Sequence, residues 1–163
     1  MKNIYPCLWF DDKAEDAANF YVSIFTNSKI TSLSRYGDSG PLPKGTVMVA
    51  KFHLNGQEFM ALNGGPEFQF TPAISLMVKC KTQQEIDEYW NQLTAGGKEV
   101  QCGWLEDRFG VSWQIVPEIM DEYLKDKDPE RTERVMAAMM KMVKLDIATL
   151  KQAHDYTDLP LPR

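Results

Sequence analysis

The sequence predicts an α+β fold made of one unit used twice, and three observations carry that prediction. A strand, a capped helix and three strands follow one another, and the same plan recurs roughly seventy residues later, as from Asp12 to Thr82. Each half has one helix followed by a meander of strands, which does not read as a doubly wound α/β chain. After Pro117 the pattern becomes wholly helical.

The first module runs over about residues 1–66. Ile4 to Phe10 reads as a strand, with Ile4, Pro6, Leu8 and Phe10 on one face and Tyr5, Cys7 and Trp9 on the other. Asp12, with Glu15 three residues on, has the pattern of a capping box. Ala14, Ala17, Ala18, Tyr21, Ile24 and Phe25 then fall at helical spacing, and the helix should end near Asn27 and Ser28. Lys29 to Tyr36 reads as a strand. Residues 37–45, GDSGPLPKG, form a long Gly- and Pro-rich loop of the kind that often serves as a lid. Thr46 to Leu54 and Gln57 to Asn63 are strands joined by the Asn55-Gly56 hairpin turn. Gly64-Gly65-Pro66 breaks the second of them, and 67–72 links the halves.

The second module spans about 72–117. Ala73 to Cys80 is its first strand. Thr82 and Glu85 repeat the capping box, and Ile86, Tyr89, Trp90 and Leu93 supply the apolar face of the helix, which ends at Ala95-Gly96-Gly97. Residues 97–117, GKEVQCGWLEDRFGVSWQIVP, read as strand, strand, tight turn and strand. The turn is Asp107 to Gly110, and Pro117 stops the last strand. Alternation places Ser112, Gln114 and Val116 on one face and Val111, Trp113 and Ile115 on the other. Gln114 is thus a polar amide on an inward face.

A helical extension covers about 118–156. Glu118 to Leu124 reads as a short helical turn. Asp128-Pro129 is an N-cap followed by Pro at the first helical position. Val135, Ala138, Met139 and Met142 form an apolar stripe, and Asp146 caps a last helix through Ile147, Leu150 and Ala153. The Met139-Met140-Met142 cluster packs on a sheet or offers a partner surface. Residues 158–163 are expected to be loose.

Composition narrows the function classes. In 163 residues there are 18 Lys and Arg against 23 Asp and Glu, a net charge of -5, with no basic cluster to neutralise nucleic-acid phosphates. The N-terminus lacks the apolar run and cleavage site of a signal peptide, no run reaches transmembrane length, and a cytoplasmic protein is expected. Three cysteines, Cys7, Cys80 and Cys102, lie in predicted strands without a CxxC pair and read as buried reduced thiols. His53 at a strand end and His154 near the C-terminus read as ordinary surface histidines. There is no G-x-S-x-G elbow and no Cys-His pair at a suggestive spacing, while a reactive thiol at Cys102 stays open. The first strand runs into DDKAED, not a Gly-rich turn, so neither a dinucleotide nor an S-adenosylmethionine site is supported.

DRFGVSWQIVP, preceded by QCGWL and AISLMVKC, closely resembles the PhnB-like proteins of the vicinal oxygen chelate superfamily. That superfamily holds the glyoxalase, bleomycin-resistance and extradiol dioxygenase fold, and the subgroup is often labelled 3-demethylubiquinone 3-methyltransferase-like. The resemblance covers Tyr5 through about Ala153. It implies paired βαβββ modules forming a cupped mixed sheet, commonly as a homodimer. It also implies metal-ligand positions at about Tyr5, Asn63, Ala73 and Gln114, where metal-binding relatives carry His and Glu. None does here, so no metal and no cofactor are expected.

The inward faces bring together Tyr5, Cys7, Trp9, Asn63, Ser75, Met77, Ser112 and Gln114, an aromatic and apolar set with a few hydrogen-bonding groups. Tyr5, Trp9, Asn63, Ser75 and Gln114 are the candidate ligand-binding residues. The expected function is metal-independent binding of an apolar or aromatic organic molecule in the cupped sheet, between modules or protomers. The alternatives are an enzyme of the superfamily, whether lyase, isomerase, dioxygenase or the methyltransferase of the label, and an interaction dimer whose faces are simply filled. Arg108, on the Asp107 turn, could clamp an anion or be a surface residue.

Overall fold

The computed structural model describes residues 4–156, which divide into two units at Phe70. In the first, the chain runs β1 (Cys7–Phe10), α1 (Ala14–Ile24), β2 (Lys29–Arg35), β3 (Val47–Leu54) and β4 (Gln57–Asn63). The strands lie in the order β1-β4-β3-β2, with β1 parallel to β4 and the other pairs antiparallel. In the second, β5 (Leu76–Cys80), α2 (Gln83–Leu93), β6 (Lys98–Glu99), β7 (Trp104–Glu106) and β8 (Ser112–Pro117) take the order β5-β8-β7-β6. Again the first and last strands are parallel neighbours. The expected βαβββ unit is therefore present twice with identical topology. The extension follows as α3 (Met120–Tyr123), α4 (Pro129–Met139) and α5 (Ile147–Asp155).

Each helix covers one face of its sheet because its apolar residues recur at three and four positions. In α1 these are Ala14, Ala17, Ala18 and Tyr21, all fully buried. Tyr21 stacks on Phe52, which stacks on Phe59 at 5.5 Å between ring centroids. Leu8, Phe10, Ala50 and Ala61 complete that core. In α2 the buried residues are Ile86, Trp90 and Leu93, and the sheet contributes the buried face of Leu105, Trp113 and Ile115.

The two helices begin differently, and here the Asp12 capping box is corrected. The N-cap of α1 is Lys13, whose side chain makes no capping bond. The N–H of Ala14 donates instead to Asn63 Oδ1 at 2.7 Å, across 49 residues of chain. The Thr82 box does form: Thr82 Oγ1 accepts from the N–H of Glu85 at 3.2 Å, and Glu85 Oε2 accepts from the N–H of Lys81. Asp128 and Asp146 cap α4 and α5 as expected.

The 37–45 loop closes on itself. The N–H of Tyr36 donates to Thr46 O and the N–H of Gly45 to Tyr36 O, both at 2.9 Å, and Lys44 pairs with Asp38.

The extension is tied to the second module by backbone bonds at a strained corner. Cys102 and Gly103 both have positive φ, 61° and 80°, in the β6–β7 turn. Their N–H groups donate to Met142 O and Val143 O at 2.8 and 2.7 Å. A Cβ on Gly103 would come within 2.9 Å of Ile115 O and 3.0 Å of the Leu145 side chain, so glycine is required there. Gln83 clamps both sides of the same segment, donating to Leu145 O and accepting from the N–H of Ile147. Met120, Tyr123, Val135, Leu145 and Leu150 form a small core, with Met139 and Met142 packed against it and Met140 57% exposed.

Candidate functional site

Each sheet has a helix on one face, and strand alternation decides which side chains reach the other, where Val116 of the second sheet packs against the core of the extension. In module one the open face carries Cys7 and Trp9 from β1, Met60 and Leu62 from β4, and Val49 and Lys51 from β3. Trp9, Leu62 and Val49 share one cross-strand row, and Cys7, Met60 and Lys51 share the next. Tyr5 precedes β1 with the same alternation and is half-buried.

Trp9 is held rigidly. Its Nε1–H donates to Gly65 O at 2.9 Å, and Phe68 meets it edge to face at 5.1 Å. A Cβ at Gly64 would collide with the indole, so the ring packs directly against the glycine. Gly65 has φ 91° and its N–H donates to Asp11 O, which fixes the cradle. The Gly64-Gly65-Pro66 break is thus a seat for Trp9. Phe68 is 59% exposed, leaving an aromatic corner with one open side.

Asn63 does not line this face, which corrects its expected position. In the register Phe10 opposite Asn63, its side chain follows Phe59 and Ala61 toward α1, and it is 1% exposed. Oδ1 accepts from Ala14, Nδ2 donates to Val47 O at 2.9 Å, and its own carbonyl accepts the Tyr36 hydroxyl at 2.6 Å. Phe59, Ala61 and Asn63 alternate together, and that is the face of β4 that α1 covers.

In module two the structure brings Ser75 and Gln114 together: Gln114 Nε2 donates to Ser75 Oγ at 2.8 Å. Met77 and Trp104 flank Gln114 in the same row, Met77 half-exposed. Ser112, on the same side of β8, is buried at 5% exposure. Asp107 fixes the turn from below. Its carboxylate is buried and accepts from the N–H groups of Phe109 and Val111 and from Trp113 Nε1, at 2.8, 3.1 and 2.8 Å. Arg108 turns back to donate to Ala95 O at 2.9 Å.

The thiols fall into distinct settings. Burial, reinforced by Glu85 and Glu118, pushes Cys80 up to about 12, so it is a neutral core group at any physiological pH. Partial burial also raises Cys7 above its ordinary value. Cys102 lies 3.7 Å from the thioether of Met140.

The four positions that the superfamily resemblance marks for a metal do not fit one. Ala73 has no donor and lies exposed before β5; both amide atoms of Asn63 are engaged in the core; the Gln114 amide is bonded to Ser75. Only the Tyr5 phenol and one neutral amide oxygen are left, a poor set for a divalent cation. Among the described residues, no three His, Cys, Asp or Glu side chains are grouped to hold one. Also among them, no helix is long and apolar enough to cross a membrane.

Two features of the extension escaped the sequence reading. His154, expected to be solvated, is only 14% exposed in its side chain and stacks on Tyr123 at 4.3 Å. Its Nε2 meets Asp126 Oδ2 at 2.8 Å and its Nδ1 meets Asp155 Oδ1 at 2.9 Å. Arg134, buried, donates from Nε to Ala153 O and from a terminal amino group to His154 O, neutralising the carbonyl end of α5. Arg134 sits one position before Val135 on the apolar stripe, the only sequence signal it offered.

Comparison with known proteins follows this architecture. The family model for 3-demethylubiquinone-9 3-methyltransferase matches residues 2–116. The solved PhnB protein from Bacillus cereus is 44% identical, with a TM-score of 0.67, over 71% of this chain and 99% of that one. A Pseudomonas aeruginosa protein shares the fold at 22% identity and a TM-score of 0.61, over 72% of this chain and 98% of that one. The fosfomycin resistance protein FosX from Listeria monocytogenes, solved with Mn(II) and sulfate, does so at 18% identity and 0.53, over 77% and 98%. No curated protein matches the chain.

Proposed function

The chain belongs to the PhnB-like 3-demethylubiquinone-9 3-methyltransferase family, within the vicinal oxygen chelate superfamily, and from that premise we propose that it binds an apolar or aromatic organic molecule without a metal. The ligand lies on the open face of the first module, against Trp9 and Phe68, with Tyr5, Met60 and Leu62 beside them. The observation that carries this reading is the seating of Trp9. A side chain held by a backbone carbonyl, a glycine and a second ring, yet open on one side, is preorganised for a planar partner. Ser75 and Gln114 form the polar pair of the second module, and each keeps unused hydrogen-bonding capacity. A homodimer belongs to the same proposal, supported by the exposure of Ile4, Ile74 and Met77.

Methyl transfer is the second reading, favoured by the family description alone. The first strand enters Asp11-Asp12-Lys13 with no glycine-rich turn, and the leading N–H of α1 is engaged by Asn63. Those features offer no cradle for a nucleoside cofactor.

The test is fluorescence titration with N-phenyl-1-naphthylamine, a neutral aromatic probe. Trp9→Ala should weaken its binding about tenfold or more, since the ring supplies most of the wall. Gly64→Ala should do the same while keeping the indole, because the new methyl displaces it. Unchanged affinity in both variants would overturn the proposal. Elemental analysis is the second arm: a near-stoichiometric divalent metal that survives chelator dialysis would remove its metal-independent part, and S-adenosylmethionine binding would favour the methyltransferase.

A further inference from the structure

On that reading of the site, we infer that the ligand is an organic anion, an aromatic or apolar body carrying one acidic group, and that Lys51 receives the acid. β3 alternates so that Ala50, Phe52 and Leu54 are buried against α1 while Val49, Lys51 and His53 stand on the open face. Lys51 is half-buried at the middle of that face. Met60 and Cys7 continue its row toward β1, Ser32 is its partner on β2, and the Val49–Leu62–Trp9 row lies alongside. Two strand spacings and two residues of rise put the Cα atoms of Lys51 and Trp9 about 12 Å apart. A lysine reaches about half of that. A molecule of two or three rings can therefore touch the indole and the ammonium at once.

The charges around Lys51 leave it available. In module one the ion pairs are Lys13 with Asp12 and Asp16, Arg35 with Glu15, and Lys44 with Asp38. Among the described residues the Lys51 ammonium has neither an ion pair nor a hydrogen bond. Glu58, a carboxylate on β4, lies opposite His53 and not opposite Lys51. Lys29 is also opposite His53, but at the exposed end of β2. A cation set among methionine and aliphatic side chains, with a serine hydroxyl across from it, gains most from an anion that arrives with its own apolar body. A chain of net charge -5 would repel an anion everywhere else on average, so one local lysine decides where it lands.

A matched pair of probes separates this inference from the reading beneath it. 8-Anilino-1-naphthalenesulfonate and N-phenyl-1-naphthylamine share their rings and differ in the sulfonate. The wild-type protein should bind the sulfonate roughly tenfold more tightly, and Lys51→Met should abolish that preference while leaving the neutral probe within about twofold. Lys29→Met should leave the preference intact. Added salt should weaken only the sulfonate. If Lys51→Met preserves the preference, or Lys29→Met removes it equally, the assignment of the anion to Lys51 is wrong while aromatic binding stands. If the neutral probe binds but the sulfonate binds no better, the ligand is not an anion. If neither probe responds to Trp9→Ala, the underlying site itself is wrong.

Discussion

The two βαβββ modules have the same strand order and the same parallel first-to-last pairing, yet their helices start by different means. α2 is capped by its neighbours in sequence, Thr82 and Glu85. α1 is capped by Asn63, from the far end of β4, which bonds Val47 O as well. One topology thus tolerates a local and a long-range solution to the same unsatisfied N–H groups. The local cap works before the sheet forms. The long-range cap forms only when β4 is in register, so in module one helix and sheet stand or fall together.

Removing the two caps should break this equivalence, with the larger effect in module one. Asn63→Ala leaves the Ala14 N–H and the Val47 carbonyl without partners in a buried site, a loss of about 3 kcal/mol. Thr82→Ala removes the acceptor of the Glu85 N–H at an exposed helix end and should cost about 1 kcal/mol. Urea denaturation of each variant measures the difference. Equal losses would mean that water replaces Asn63 and that module one does not depend on the long-range cap. Asn63→Asp sharpens the result, because it keeps the acceptor for Ala14 and loses the donor to Val47. Its loss should fall between the two.

This contrast also explains what could be read from the chain alone. The strand-helix-strand repeat, the Thr82, Asp128 and Asp146 caps, and the β7–β8 turn all depend on residues within a few positions of one another, and all were legible. Asn63 was not, because a helix cap supplied from 49 residues away leaves no spacing to detect. It was also assigned to the wrong face of β4, since alternation gives two faces and only packing against α1 says which is covered. Trp9 was found by its face, but its seat was not. Gly64 and Gly65 read as a break, and nothing local shows that a break lies under an indole. Nothing in the alternation of β3 singles out Lys51; its significance comes from neighbours on β4 and β1. Arg134 and His154 share that reason in part, because Ala153 lies 19 residues from the first and Asp126 lies 28 from the second.

A second difference between the modules is the extension, which lies beyond the family match at residue 116 and is bonded to the second module at Cys102 and Gly103. Its closure by His154 should give that unit a pH-dependent stability, with a smaller effect than either cap. A carboxylate sits on each ring nitrogen, so both nitrogens can be satisfied at once only when both carry hydrogen. The bonds to Asp155 and then Asp126 outweigh partial burial and raise His154 above its ordinary 6.5. The stabilisation is therefore complete below about 6.5 and is lost as pH rises through the raised value. Asp126, held down by the N–H of Asp128 and by His154, and Asp155, held down by His154, sit below their ordinary 3.8. Their contribution is present above 3.8 and disappears at lower pH. The clasp is strongest between those limits, and modest, because solvent screens its carboxylates. The difference in stability between the wild type and His154→Gln should peak from about pH 4 to 6.5 and shrink on either side. Amide hydrogen exchange should place the loss in α5 and the segment around Asp126, while α1 and its sheet remain unchanged. A difference that is flat with pH would mean that stacking on Tyr123, and not charge, holds the imidazole.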